Sequence, residues 1–462
     1  MKHYRLWSLL LLLCSTLSGY ASAGNLRSYL MADEAAMTGG AGIAVSRDSG
    51  SLWYNPAGLG GLSLGRMELT GTVYSLKIRP LRGLLETRLP SGTHEKSITA
   101  KEFQSVPTSL VFVRNASEKV SLGFAIYQTN TSNVDYRLAL KVPYDGSGAL
   151  WSDGMEFHQQ ASVYHAGPAF GVELSPRFRI GCSFYLLFMT GVVSLRGFAG
   201  VQNLGEDNLQ SLSSLSSYGS IVKLGLTMTT GVQWEFVRHW HLGVVFRSPT
   251  FKFFESNDVS TLNSDAVVTN TDGGLTYDYD LGEESRVKFS QAIPLEAQIG
   301  LAYKRQSSFL GAEVAFRPPL EKANYIFVWN ASLGGRLQIS ELFSWGAGVF
   351  TDRNAQKLTD VMMDWRSDRY GVTTGFEFKT PVLVKKILSE KEKATPPKQR
   401  DPDATKIRRL VWATTLAFSY AFELAEYNAL YVDAISDLKI TNKKKTSVFH
   451  QPTIYMGTAL YF

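Results

Sequence analysis

The sequence runs to 462 residues, with 47 Lys and Arg against 41 Asp and Glu, a net charge of +6 and a mean hydropathy of −0.07. After an N-terminal leader no run of about 18 apolar residues occurs, which excludes a membrane-spanning helix. No basic, aromatic-interleaved patch marks a nucleic-acid surface, so no nucleic-acid partner is expected. Aromatics at 12% and 40 glycines, with hydropathy near zero, suit a membrane barrel in which lipid-facing and lumen-facing residues alternate and cancel in the average.

Met1–Arg5 carries Lys2 and Arg5, Leu6–Leu17 is almost wholly apolar, and Ala21-Ser22-Ala23 has the A-x-A form of a cleavage site. Residues 1–23 therefore read as a secretory signal peptide, with a mature chain from Gly24. Cys14 lies in the leader without the small residues that precede a lipoprotein cysteine. The mature chain keeps one cysteine, Cys182, so it can form no intrachain disulfide. A buried or lipid-facing thiol is expected there.

Residues 24–64 form the next unit. Within it, Gly39 to Leu62 is rich in Gly and Ala, has no Lys or Glu, and breaks at Asn55-Pro56-Ala57-Gly58. Small residues let backbone approach backbone, and Asn-Pro followed by Gly imposes turns. The segment suits a compact plug seated inside something larger.

From residue 65 to 462 the sequence reads as alternating strands of an antiparallel transmembrane β-barrel. Fourteen are expected: 65–78, 104–114, 119–130, 158–173, 177–195, 218–236, 239–254, 285–305, 308–318, 325–340, 342–352, 369–381, 408–423 and 451–462. Connections after even-numbered strands are mostly tight, as in Asn115–Glu118, Leu174–Pro176 and Val237-Arg238. Those after odd-numbered strands are mostly long: 79–103, 131–157, 196–217, 255–284, 353–368 and 424–450. Short periplasmic turns alternating with long outer loops are barrel topology, with both termini in the periplasm.

One turn breaks the pattern. Residues 382–407 should be short, yet they contain KKILSEKEKATPPKQRDPDATK. Charge and Pro396-Pro397 read as a solvated periplasmic insertion. A docking segment for a periplasmic partner or peptidoglycan is the other reading. In loop 196–217, Leu204, Leu209, Leu212 and Leu215 include spacings of three, which suit a short amphipathic helix as well as a Ser-rich loop with incidental leucines.

The sequence has no GxSxG, HExxH, Walker loop or CxxC, and the chain is not expected to be an enzyme or to carry a cofactor. His94, His158 and His165 lack a recognisable partner motif. His239 and His241 could pair on a metal but flank Trp240 beside a turn, where interface aromatics are expected. Asp265, Asp272, Asp278 and Asp280 fit no EF-hand spacing, and no metal site is assigned. The last strand ends on the aromatic Phe462, a candidate signal for the outer-membrane barrel assembly machinery.

Ala44-Val45-Ser46 with Asn55-Pro56-Ala57, then Gly243–Pro249 with Phe246-Arg247-Ser248, then Ile293-Pro294-Leu295 with Gln298–Tyr303, resemble in order and spacing the FadL-type long-chain fatty acid transporters of the Gram-negative outer membrane. Phe246 stands where that family usually has tyrosine. The resemblance implies a 14-stranded barrel plugged by an N-terminal hatch and passive transport of hydrophobic solutes, long-chain fatty acids foremost. It implies capture in the third outer loop, here Leu204, Leu209, Leu212 and Leu215. Asn55, Pro56, Ala57 and Gly58 would shape the hatch turn, by gating or by sealing only. Strand 119–130 matches the family's kinked strand, where Gly123 could permit a bulge or sit under an aromatic neighbour. Arg247 would bind a carboxylate or brace the wall through an inner ion pair. A FadL-like scaffold or shuttle for a secretion or assembly system, without import, is the alternative, and a general porin is disfavoured by the plug.

Overall fold

In a computed structural model of the protein, the described residues are 25, 29–62, 66–146, 148–202, 210–268, 275–282, 294–320, 325–358, 365–383, 409–435 and 439–462. The expected leader 1–23, and the 382–407 insertion beyond Leu383, lie outside them.

The wall is a single sheet made of β1 (Arg66–Leu89), β2 (Gly92–Asn115), β3 (Val120–Pro143), β4 (Leu150–Ser175), β5 (Phe178–Gln202), β6 (Gln210–Val237), β7 (Trp240–Arg247), β8 (Phe251–Val268), β9 (Leu275–Gly282), β10 (Glu296–Arg305), β11 (Ser308–Arg317), β12 (Val328–Gln338), β13 (Phe343–Asp352), β14 (Trp365–Leu383), β15 (Arg409–Asp433) and β16 (Lys439–Tyr461). Pairing of β1 with β16 and of β5 with β6 closes it. The period-two pattern is inverted relative to a soluble protein. On β10, Ile299, Leu301 and Tyr303 face outward and exposed while Glu296 and Gln298 are buried inside. Phe184, Leu186 and Phe188 on β5, and Phe418, Tyr420 and Phe422 on β15, continue the outer apolar belt. An apolar exterior around a polar lumen is the solution a bilayer imposes.

The strand count differs from the fourteen expected. Among the described residues sixteen strands are present, fifteen in a closed barrel of mixed pairing, with β9, bonded there to β8 alone, outside the closure. The stretch 239–254, read as one strand, is broken at Ser248-Pro249-Thr250. Proline has no N–H to give to a ladder. The Ser248 side-chain oxygen accepts from the Met228 N–H at 2.9 Å at this break. Both fragments still lie along β6, β7 against Thr229–Val237 and β8 against Gln210–Leu226. The expected loop 255–284 is a β8–β9 hairpin over its described part.

Strand lengths differ too. β1 to β6, β15 and β16 run 23 to 28 residues, against 10 or 11 for β10 to β13. Most residues expected in loops 79–103, 131–157, 196–217 and 424–450 therefore belong to paired strands. Outside the bilayer the apolar alternation fades, but backbone donors and acceptors still need partners and continue the ladder.

The β1–β2 hairpin leaves the wall. β2 pairs with β3 only over Ser109–Asn115, and β1 pairs with β16 only up to Ile78↔His450. Beyond those points β1 and β2 stay paired to their tip, and Leu85–Arg88 run parallel with Leu430–Asp433 of β15. The hairpin thus reaches over the lumen at the end opposite the short turns.

Candidate functional site: plug, charged layer and apolar roof

The plug comes from the N-terminal segment. It holds α1 (Asp33–Thr38), α2 (Ser51–Tyr54) and a 3-10 turn at Pro56–Leu59, all buried. Asn55 starts that turn. Its side-chain oxygen accepts from the Ala57 N–H at 3.1 Å, and its amide donates to the carbonyls of Ile43 at 2.7 Å and of Val232 on β6 at 3.0 Å. Pro56 sits at the first position of the turn, where its missing N–H costs nothing. A Cβ on Gly58 would strike the Ser46 carbonyl. All four residues expected to shape the hatch turn are thus packed together against the wall.

The wall meets the plug through glycines. A Cβ at Gly181 would collide with the Pro56 backbone, one at Gly231 with the Asn55 side chain, and one at Gly334 or Gly348 with the Thr38 carbonyl. At Gly181, Gly334 and Gly348 the approach is backbone to backbone, and at Gly231 a side-chain amide takes the space a Cβ would fill. The sequence showed the small residues of the plug; their partners on the wall lay far apart in the chain and carried no local signal.

Arg247, at the end of β7, contacts the plug directly. Nη2 donates to the Trp53 carbonyl at 2.9 Å, Nη1 lies 3.4 Å from Glu296 Oε1, and the guanidinium carbon lies 4.5 Å from the centre of the Trp53 ring. Glu296 also takes Arg317 at 2.7 Å, and Arg317 reaches Asp352 at 3.7 Å. The guanidinium therefore links wall to plug inside an ion-pair network. Trp53 is held by three further rings, Tyr127, His165 and Tyr185, with centroids 5.5, 5.0 and 5.7 Å away. At the other side, α1 presents Glu34 to Arg336 at 3.5 Å, and Arg336 lies 3.6 Å from Glu377. Burial first, then Asp48, push Glu34 up to about 7 against the pull of Arg336.

Above the plug lies a charged layer. Arg79 pairs with Glu102 at 2.7 Å and Arg369 with Glu423 at 2.6 Å. Tyr29 of the plug donates to Gln104, and Lys77 lies 5.8 Å from the centre of the Tyr29 ring. Two residues further along the same strand faces, chemistry changes: Leu81 follows Arg79, Ala100 precedes Glu102, and Ala425 follows Glu423. These belong to a buried apolar cluster with Leu84, Tyr136, Phe157, Val193, Tyr427 and Phe449. That cluster lies beneath the β1–β2 hairpin and roofs the lumen. The sequence did not single out these residues, because the hairpin that gathers them was read as an outer loop.

Other expected residues fall as follows. Leu212 and Leu215 lie on β6, paired with Gly200 and Gly197 of β5, so the helix expected in 196–217 is replaced there by strand. Continuous ladder pairing on both sides of the hairpin satisfies the backbone better than one short helical turn. Leu204 and Leu209 lie outside the described residues. Gly123 sits in regular register with Val113 and Ala169, facing Leu52 of the plug. The bulge of β3 falls further on, between Gln128 and Asn130. Past it, β3 has lost β2 as a ladder partner; the side chains of Gln104 and Glu102 instead meet the backbone of Thr131 and Asn133. His239, Trp240 and Tyr303 cluster at a short turn, with centroids 5.9 and 5.5 Å from the tyrosine.

A closed barrel with this outward apolar belt and internal plug is a membrane-spanning β-barrel fold. Among solved structures, it is similar to a FadL homologue of Pseudomonas aeruginosa, with 12% identity and a TM-score of 0.57 over 95% of this chain and 99% of that one. It is similar to the toluene transporter TodX of Pseudomonas putida, at 12% identity and a TM-score of 0.51 over 96% and 99%. The monoaromatic hydrocarbon channel CymD gives 11% and 0.50 over 94% and 98%. No protein-family model and no curated protein matches the sequence. The likeness is one of architecture: the chain has the FadL-type barrel fold.

Proposed function

We propose that this protein carries hydrophobic solutes passively across the Gram-negative outer membrane, with long-chain fatty acids as the principal class. The observation that supports this best is the buried apolar roof of the lumen, set above a seated plug and beside a strand seam. An apolar interior holds apolar solutes that water and a charged lipopolysaccharide surface reject. The stretch of sequence joining β5 to β6 and opening β6, with Leu204, Leu209, Leu212 and Leu215, is the proposed entry. Where β2 and β3 part beyond Ser109↔Tyr127, side-chain bridges replace a ladder, and a solute can leave sideways once they open. Asn55, Pro56, Ala57 and Gly58 close the axial route. The contacts of Arg247 support the bracing reading of that residue. Phe462, stacked 6.3 Å from Phe112, serves as the assembly signal. No energy source is needed, since consumption inside draws the solute down its gradient.

The test is uptake of labelled oleate and of labelled toluene by cells stripped of their own hydrophobic-uptake channels, with and without this protein. Uptake of at least one should rise with expression, while uptake of a small sugar should not. If neither hydrophobic label enters faster, import is wrong and the scaffold reading stands in its place.

A further inference from the structure

On the outer face of the wall, toward the end away from the short turns, a cavity of about 630 Å³ opens across β14, β15, β16 and β1. Asp368 of β14, Leu424 of β15 and Val448 of β16 lie side by side in one row of the sheet, and Arg366, Glu426 and Thr446 in the next. Leu424 and Val448 are 51% and 41% exposed, whereas Glu423, Ala425 and Phe449 beside them are buried. These rows therefore face out of the barrel. On the β1 side Pro80 and the exposed Arg82 complete the lining, just past Ile78↔His450, where β1 stops pairing with β16.

The belt below sets the height of the cavity. From Trp412 to Phe422 the outward face of β15 has the length a tilted strand needs to cross the hydrocarbon, about 9–11 residues. At the upper limit of that span, rings gather. Tyr370 stacks on Phe422 with centroids 5.4 Å apart, and the Tyr420 hydroxyl lies 2.7 Å from His450 Nδ1. Such a girdle marks the boundary between acyl chains and head groups. The cavity begins one row higher, in the head-group layer of the outer leaflet.

The lining selects the head group. Arg366 and Arg82 border the cavity from β14 and β1, its two sides, and a guanidinium fork fits a pair of phosphate oxygens. The Arg366–Asp368 pair, at 3.4 Å and partly exposed, is too weak to keep Arg366 from a phosphate. Glu426 and Thr446, between the arginines, offer acceptors that sugar hydroxyls fill and a bare anion does not. Leu424 and Val448 carry the apolar belt up to meet the first methylenes of an acyl chain.

We propose that this cavity binds a phosphorylated glycolipid of the outer leaflet, with phosphate on Arg82 and Arg366, sugar hydroxyls on Glu426 and Thr446, and an acyl chain along Leu424 and Val448. The bound head group covers the stretch of wall where β1 and β16 have given up their ladder.

The experiment measures binding of bisphosphorylated lipid A, and of the same lipid A stripped of its phosphates, to the full-length protein purified in mild detergent. Wild type should bind the phosphorylated lipid roughly 10-fold more tightly. Arg82→Gln/Arg366→Gln should lose that preference. Arg137→Gln/Arg196→Gln, which removes exposed arginines of β3 and β5, strands that do not line the cavity, should keep it. An intact heat-modifiable band and unchanged binding of the stripped lipid show that each variant is folded. A preference that survives in Arg82→Gln/Arg366→Gln overturns the site. Equal loss in Arg137→Gln/Arg196→Gln would mean attraction by net charge alone, which also overturns it. Equal binding of the two lipids by wild type overturns the phosphorylated class. Full displacement of the lipid by an equal concentration of inorganic phosphate overturns the lipid as occupant.

Discussion

The two ends of the lumen are closed by opposite means. At the short-turn end the plug is held by backbone against backbone, through glycines such as Gly181 and Gly348, and by directed bonds from Asn55 and Arg247. At the far end the roof is held by side-chain packing of Leu84, Tyr136, Phe157 and Tyr427. Close backbone approach tolerates no added atom, whereas an apolar cluster re-forms around a guest of similar character. One end is therefore fitted to the plug with no spare volume, and the other is closed by packing that can re-form.

The largest effect should come from the wall glycines. Gly231→Val places a branched side chain where Asn55 sits and should unseat the 3-10 turn. Planar-bilayer recordings should then show a stable open conductance that wild type lacks; a closed trace would mean that the plug adapts as freely as the roof.

Next come matched truncations of one large side chain at each end. Trp53→Ala and Leu84→Ala should each cost about 2–5 kcal/mol in a buried site. Both should lower the temperature at which the folded band is lost on gels. Only Trp53→Ala should also raise ion leak, because only Trp53 belongs to the plug. Equal leak from Leu84→Ala would erase the distinction between the ends.

A smaller effect should follow pH. Glu34 in the seated plug titrates at about 7, above its ordinary 4.5, with Asp48, Arg336, Lys304 and Glu377 acting on it. The seated form thus keeps a proton that a released plug gives up between those values. Seating should be strongest below pH 4.5 and weaken as pH rises through 7. Conductance events should grow more frequent across that window, and Glu34→Gln should flatten the trend. A leak that rises toward acid would reverse the assignment.

The smallest effect belongs to the hairpin tips. Glu86 meets Lys443 at 2.7 Å and Lys445 at 3.0 Å. Both lysines are partly exposed, so Glu86→Gln should cost at most about 1 kcal/mol. Melting temperature should shift slightly and transport stay unchanged; a large loss of uptake would show that the roof depends on its rim.

Much of this was legible from the sequence. The inversion of apolar and polar faces on β10 and β5 follows from a period of two in a chain without a helical span. The plug announced itself through Gly, Ala and the Asn55-Pro56 turn, because small residues and fixed dihedrals act locally. Alternation located most wall positions among the described residues, though it ran one strand through Ser248-Pro249-Thr250, where the structure has two, and read Leu275–Gly282 as loop. Beyond the bilayer the pattern weakened and paired strands were read as loops.

What the sequence alone determined, then, is what local chemistry dictates: a barrel, a plug and the positions where lipid meets side chain. Tertiary structure decided how far each strand ran, which glycines received the plug, that Arg247 braces Trp53, and that the β1–β2 hairpin leaves the wall to build a roof. Those outcomes depend on residues hundreds of positions apart, such as Leu85 and Leu430, meeting in one register. A strand edge can bond to any other edge with equal chemistry, so only the closed shape of the whole sheet selects the partner.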